Sequence, residues 1–195
     1  MAAALILISG LFLSGCSNMG SAATIGGTEI SMKIVEDSIA EILAERAKTD
    51  TSQMQLETGD ALNRSQLQFL ITNKIIEELA IEDKITITQA EVDSYRATVI
   101  KNVGGEASLP NVLVNATLAP SNIVDILRRD LIITKLSQAA VSSGLSEADA
   151  NAAVQQLVIE KAKSLKIVIN PKFGKWNDLT AQIEAADATN GAVTP

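Results

Sequence analysis

Apolar residues recur at helical spacing along most of this chain. Val35, Ile39, Ile42 and Leu43 stand at i, i+4, i+7 and i+8. That spacing predicts a helix from Met32 to about Lys48 with one stripe turned to a core, and Ser31 is placed to cap it. Residues 49–62 are polar, carry Gly59-Asp60 and show no period, so they read as a mobile loop. From about Arg64 to Glu82 the residues Leu67, Phe69, Leu70, Ile71, Ile75, Ile76, Leu79 and Ile81 lie on most sides of a helix, which predicts a central, largely buried one. Thr88-Gln89-Ala90-Glu91 is a capping box that opens a helix to about Asn102, ended by Gly104-Gly105. A short helix, interrupted or opened by Pro110, is expected over Glu106–Asn115. Pro120 begins another, running to about Ala140. Ser146 begins a last one that ends near Leu165.

The two ends of this helical stretch read differently. Thr24-Ile25-Gly26-Gly27-Thr28-Glu29-Ile30-Ser31 reads as a short strand, a glycine turn and a helix entry. Lys166-Ile167-Val168-Ile169-Asn170 is β-branched and reads as a second short strand. A lone strand leaves its backbone groups unpaired, so the two must meet. The fold class is therefore mainly α, a helical bundle closed by a short two-stranded sheet formed from the two ends of the domain. Strand exchange between two copies would give a homodimer with the same pairing. Residues 178–195 drift into Ala, Thr, Asp and Gly and read as a low-complexity, disordered tail.

Composition narrows the function. A net charge of −7 argues against a nucleic-acid partner and against electrostatic adhesion to anionic lipid heads. Aromatic residues are 3% of the chain, so the core must be built from Ile, Leu, Val and Ala. There is no histidine, no Ser-x-x-Lys and no phosphate-binding glycine motif. The commonest general base, the usual nucleophile pairs and the usual zinc ligands are thereby missing. No catalytic activity, metal or cofactor is expected.

Cys16 is the one cysteine. It ends Leu13-Ser14-Gly15-Cys16, directly after the apolar run Ala2–Leu13. The pattern resembles a bacterial lipobox, in which a diacylglyceryl group is attached to the cysteine and the peptide is cut before it. The resemblance implies a signal peptide over residues 1–15, lipidation at Cys16, a flexible tether over 16–23, and a location at the outer face of the cytoplasmic membrane. The alternative is a free thiol in a short buried helix. A run of about 12 residues is too short to span a bilayer and fits a cleaved signal better. Residues 2–15 carry no charge, although a signal opens with Lys or Arg, which points to a start codon upstream.

Three blocks resemble the N-terminal domain of the SurA/PrsA family of extracytoplasmic chaperones. Residues 23–31 are similar to its opening A-x-V-N-G-x-x-I-S/T strand and turn, with Gly26 in place of Asn. Asn73–Ala80 and Ile85–Asp93 are similar to its central block. Val168-Ile169-Asn170-Pro171-Lys172-Phe173-Gly174-Lys175-Trp176 resembles the close of its actinobacterial lipoprotein members. The similarity covers about residues 23–177, and the expected chaperone domain is 24–177. Isomerase members carry a histidine-bearing parvulin domain of roughly a hundred residues. Ala140–Ser146 leaves no room for one. The resemblance thus implies a holdase for unfolded or extended polypeptides without prolyl isomerase activity. The rival reading is a scaffold lipoprotein that binds one folded envelope partner.

Such a chaperone needs adaptable apolar surface rather than a catalytic group. The candidates for peptide contact are Phe69, Tyr95, Leu109, Leu113 and Val114, with Met32 and Met54 as adaptable neighbours. The alternative is that these side chains are simply core. Phe173 and Trp176 are expected to cover the end of the sheet. Arg128-Arg129-Asp130 is expected on a solvated helix face.

Overall fold

The structure, a computed structural model, describes residues 20–186. Cys16, the expected signal peptide, the start of the expected tether and residues 187–195 of the expected tail lie outside the described residues. Six α-helices and five short strands follow in the order β1 (Ser21–Ile25), β2 (Thr28–Ser31), α1 (Met32–Arg46), α2 (Gly59–Glu82), α3 (Gln89–Asn102), α4 (Leu109–Asn115), α5 (Ile123–Ser142), α6 (Glu147–Ser164), β3 (Val168–Ile169), β4 (Lys175–Asn177) and β5 (Gln182–Glu184), counted among the described residues. Single 3₁₀ turns precede α4 and α5, and another joins β3 to β4.

The ends of the domain meet as their β-branched character requires. β1 pairs antiparallel with β3, Ala23 opposite Ile169 and Thr24 opposite Val168. Two features differ from the expected two-stranded sheet. Thr28–Ser31 forms β2, which pairs with the other side of β1 and makes the order β2-β1-β3. The turn between them needs Gly26 and Gly27, both at positive φ. A Cβ on Gly26 would also sit 3.0 Å from the Leu165 side chain. Sheet pairing likewise claims Ser21–Ala23, expected as tether, because Ala22 and Ala23 are buried in the core.

The second difference is the tail. Gln182–Glu184, expected to be disordered, forms β5 and pairs with β4 in a separate hairpin. Gly174 makes the approach possible. It holds φ at 123°, and a Cβ there would run into the Glu184 carbonyl oxygen. Phe173 and Ala181 are buried with the sheet, and Trp176 and Ile183 pack against the same cluster. The expected role of Phe173 and Trp176 is thus met, with a hairpin as the reason.

α2 lies at the centre because its apolar residues wrap the helix. Leu67, Ile71 and Ile75 face the sheet, Phe173 and Ala162 of α6. One residue on, Ile76 turns with Leu79 and Ala80 into a second cluster holding Val92 of α3, Leu127, Ile132 and Leu136 of α5, and Val154 of α6. Each fully buried Ile or Leu contributes about 1.5–3 kcal/mol. α2 also begins five residues earlier than its apolar pattern suggests. Leu62 docks on Ile42 and Ala119 in a third, small cluster and draws the end of the expected loop into the helix.

A polar seam fixes α1 and α2 to the turn before α5. Ser38 Oγ donates to Gln66 Oε1 at 3.2 Å, and Gln66 Nε2 donates to the Thr117 carbonyl at 2.8 Å. Asn122 Nδ2 closes the group by donating to Ser38 Oγ at 3.0 Å. Ser38 and Gln66 are buried, so these bonds replace water that burial removed. Arg46 pins the remaining loop, donating to the Glu57 carbonyl at 2.7 Å and to Thr117 Oγ1 at 3.2 Å.

Candidate functional site

The described surface offers shallow open grooves between helices. One of about 610 Å³ runs between the second half of α5 and the start of α6. Ile133, Val141 and Ala150 are its apolar lining, and Thr134, Gln138 and Asn151 add uncharged hydrogen-bonding groups beside the Glu147 carboxylate. Ser137 Oγ donates to Asn151 Oδ1 at 3.1 Å and ties the two walls together. Val141 and Leu145 are exposed at the tip of the α5–α6 hairpin, where Gly144 at positive φ turns the chain.

A second groove, about 450 Å³, separates α3 from α5 and is lined by Ala90, Ser94, Tyr95, Thr98 and Leu131. The capping box sets its edge. Thr88 N–H donates to Glu91 Oε2 at 2.7 Å, and the Glu91 N–H donates back to Thr88 Oγ1 at 3.3 Å. Lys135 of α5 holds the other Glu91 oxygen at 2.6 Å and donates to the Thr86 carbonyl at 2.9 Å. The Lys135 bond first, then the Thr88 bonds, hold the Glu91 carboxyl down to about 2. Burial first, then the Asp130 carboxylate, push the Tyr95 phenol above its ordinary value, with Arg129 opposing. Tyr95 is therefore a neutral hydroxyl on an apolar ring at neutral pH.

Arg129 explains why Phe69 is not offered as surface. Its guanidinium lies 5.5 Å from the centre of the Phe69 ring and reaches Asn73 Oδ1 at 3.5 Å. Asp130 takes two of its other N–H groups at 3.1 and 3.2 Å. Of the Arg128-Arg129-Asp130 run, Arg128 is exposed as its charge suggests, while Arg129 and Asp130 are partly covered. Arg129 is three-quarters covered, and Arg128 donates to the Ile87 carbonyl at 3.4 Å.

Of the five candidate contact residues, Tyr95 alone lines one of these grooves. Phe69 is buried under Arg129. Leu113 and Val114 are buried as α4 lies against α1, and Leu109 is half-buried at the start of α4. They are spread over α2, α3 and α4, and the fold does not gather them. The apolar groove residues that sequence reasoning passed over are Leu131, Ile133 and Val141, all on α5. The available signal was the excess of apolar positions on that helix over what one buried stripe needs.

The grooves collect amide, hydroxyl and aliphatic groups. Their carboxylate nearest a cation, Glu91, is already satisfied by Lys135 and Thr88. Such a lining suits weak contact with aliphatic side chains and with the main chain of a polypeptide. Among the described residues no group of three or more Cys, Asp or Glu side chains could hold a metal ion. No described helix is long and apolar enough to cross a membrane.

Neither a curated protein nor a solved structure matches the chain. A family model does: the SurA-like N-terminal domain matches residues 1–137, well over half the length, so the chain belongs to the SurA-like N-terminal domain family, as its sequence blocks imply.

Proposed function

We propose that this protein is a holdase, a chaperone that binds unfolded secreted polypeptides weakly and without catalysis. Membership of a chaperone-type domain family carries the proposal. The open grooves support it, since their mixed apolar and polar lining does not select one sequence. Prolyl isomerase activity is not part of the proposal. The chain has no histidine, and four residues join α5 to α6 where an inserted domain would stand. The proposed location is the outer face of the cytoplasmic membrane, with Cys16 lipidated. That assignment rests on the Leu13-Ser14-Gly15-Cys16 pattern.

Light scattering from a diluted, chemically unfolded client tests the activity, using the full chain with Cys16→Ser. Aggregation should slow at several-fold molar excess for clients of unrelated sequence. No slowing with any client would remove the holdase reading. A single tight, saturable complex with one folded envelope protein would replace it with the scaffold reading. Intact mass from a lipoprotein-processing bacterium tests the anchor. A diacylglyceryl adduct on a chain beginning at Cys16 is expected, and its absence would refute the proposed location.

A further inference from the structure

α2 carries a side chain that reads main chain. Gln68 Nε2 donates to the Ala181 carbonyl at 3.0 Å, and Gln68 Oε1 accepts from the Ile183 N–H at 2.8 Å. In an extended strand, the carbonyl of one residue and the N–H two residues on point to the same side. The carboxamide therefore stands in for the N–H and C=O of one residue of a neighbouring strand. Thr72 Oγ1 accepts from the same Gln68 nitrogen at 3.0 Å and sets which way the amide points. The bonds go to backbone atoms, so this recognition does not depend on the side chains of the strand it holds.

The strand seated there has a simple pattern. Ala181 is buried and Ile183 packs against the sheet cluster, while Gln182 and Glu184 are exposed. A cavity of about 210 Å³ continues beside the strand, lined by Glu57, Ala61, Arg64 and Ser65 as well as Gln68 and Ile183. The seat is thus longer than its occupant. The occupant is also short. β5 is three residues long, belongs to a two-stranded hairpin, and follows Ala181 at a φ of 53°, which a non-glycine residue adopts at a cost.

We infer that the Gln68 face of α2 is a binding site for an extended polypeptide segment with a small residue followed two positions on by an aliphatic one, and that β5 occupies it as an internal stand-in which a client displaces. The inference rests on the holdase reading and gives that activity a defined seat. Main-chain recognition supplies sequence tolerance, and the chain's own strand keeps the apolar seat covered when no client is present.

Hydrogen exchange on the full Cys16→Ser chain tests displacement without any change at the site. The Ile183 amide should exchange at least roughly a hundredfold faster than the Asn170 amide, which bonds the Ala22 carbonyl inside the sheet. Equal protection would mean that β5 opens only with the whole fold and would overturn the inference. Gln68→Ala should speed Ile183 exchange by roughly tenfold.

Capture is tested with a fluorescent peptide copying residues 178–186. Ile183→Asp, with its helical circular dichroism intact, should bind this peptide at least about tenfold tighter than the parent chain, because the seat is vacated. Adding Gln68→Ala should remove most of that gain. No gain, or a gain indifferent to Gln68, overturns the seat. Client aggregation is followed on the same chains. Suppression with β5 never released sinks the seat and leaves the holdase reading. Peptide capture without suppression supports the seat and sinks the holdase reading.

Discussion

α2 and α3 are stabilised in opposite ways. α2 has no side-chain bond at its N-cap Thr58, yet it buries ten residues and touches all three core clusters. α3 has a complete capping box and an ion pair to α5, yet Val92 is the one residue it buries fully among those described. α2 is held by tertiary packing and would not form alone. α3 is held by its own first turn and a thin contact. Helix stability in proteins comes mostly from packing of an apolar face, and α3 lacks most of that. It is therefore the wall of the Tyr95 groove with the least tertiary cover.

Breaking α2 should cost most. Ile71→Ala removes a fully buried side chain between the helix and the sheet and should destabilise the whole domain by about 3–4 kcal/mol in urea unfolding. The transition should stay single, because the sheet, α2 and α6 share that cluster. Val92→Ala should cost less, about 2 kcal/mol. Its signature should be local: amides of α3 lose exchange protection before those of α2. If both helices lose protection together, the contrast between them is wrong.

Finer changes address the cap. Thr88→Ala should cost about 1 kcal/mol and speed exchange in the first turn of α3. The acid titration of Glu91 should have the smallest effect. Its folded value lies below the ordinary 4.5, at about 2. Its stabilising contribution is therefore complete above the unfolded value and is lost as pH falls from about 4.5 towards 2. Protection of α3 amides should fall across that window, and Glu91→Gln should flatten the profile. A profile unchanged by Glu91→Gln would show that another carboxylate governs α3.

The same contrast explains what the sequence could reveal. Local signals were readable. The Thr88–Glu91 box forms as its spacing requires, Ser31 caps α1 by accepting from the Ile34 N–H, and α3 ends where Gly104-Gly105 predicted. Apolar runs at helical spacing gave α1, α2 and α5, and the Ser146 cap gave α6, with errors confined to their ends. Short elements stabilised from a distance were not readable. β2 is four residues that look like a helix entry until β1 lies beside them. β5 pairs with β4, and its other edge is met by Gln68, more than a hundred positions earlier. The grooves share that origin. Leu131 and Ile133 look like core on a helical wheel, and whether they line a groove depends on where α3 and α6 stop. The Arg129 cover on Phe69 is likewise a contact across 60 positions that no local pattern encodes.

The place of β1 in the sheet bears on the order in which the domain can be finished as the chain is made. Within the domain β1 is made before its partners, and it forms the middle strand, flanked by β2 and β3. β2 is available at once. The other flank waits for residues near the far end, and Asn170 Nδ2 closes it by donating to the Ser21 carbonyl across 149 positions of sequence. Until then one edge of β1 is open, and Ile25 and Ala23 lack part of their cover. Contacts so distant in sequence form slowly, so a nascent copy of this protein passes through a state with an unpaired strand edge and exposed aliphatic surface. For that interval it has the same needs as the unfolded chains it is proposed to hold.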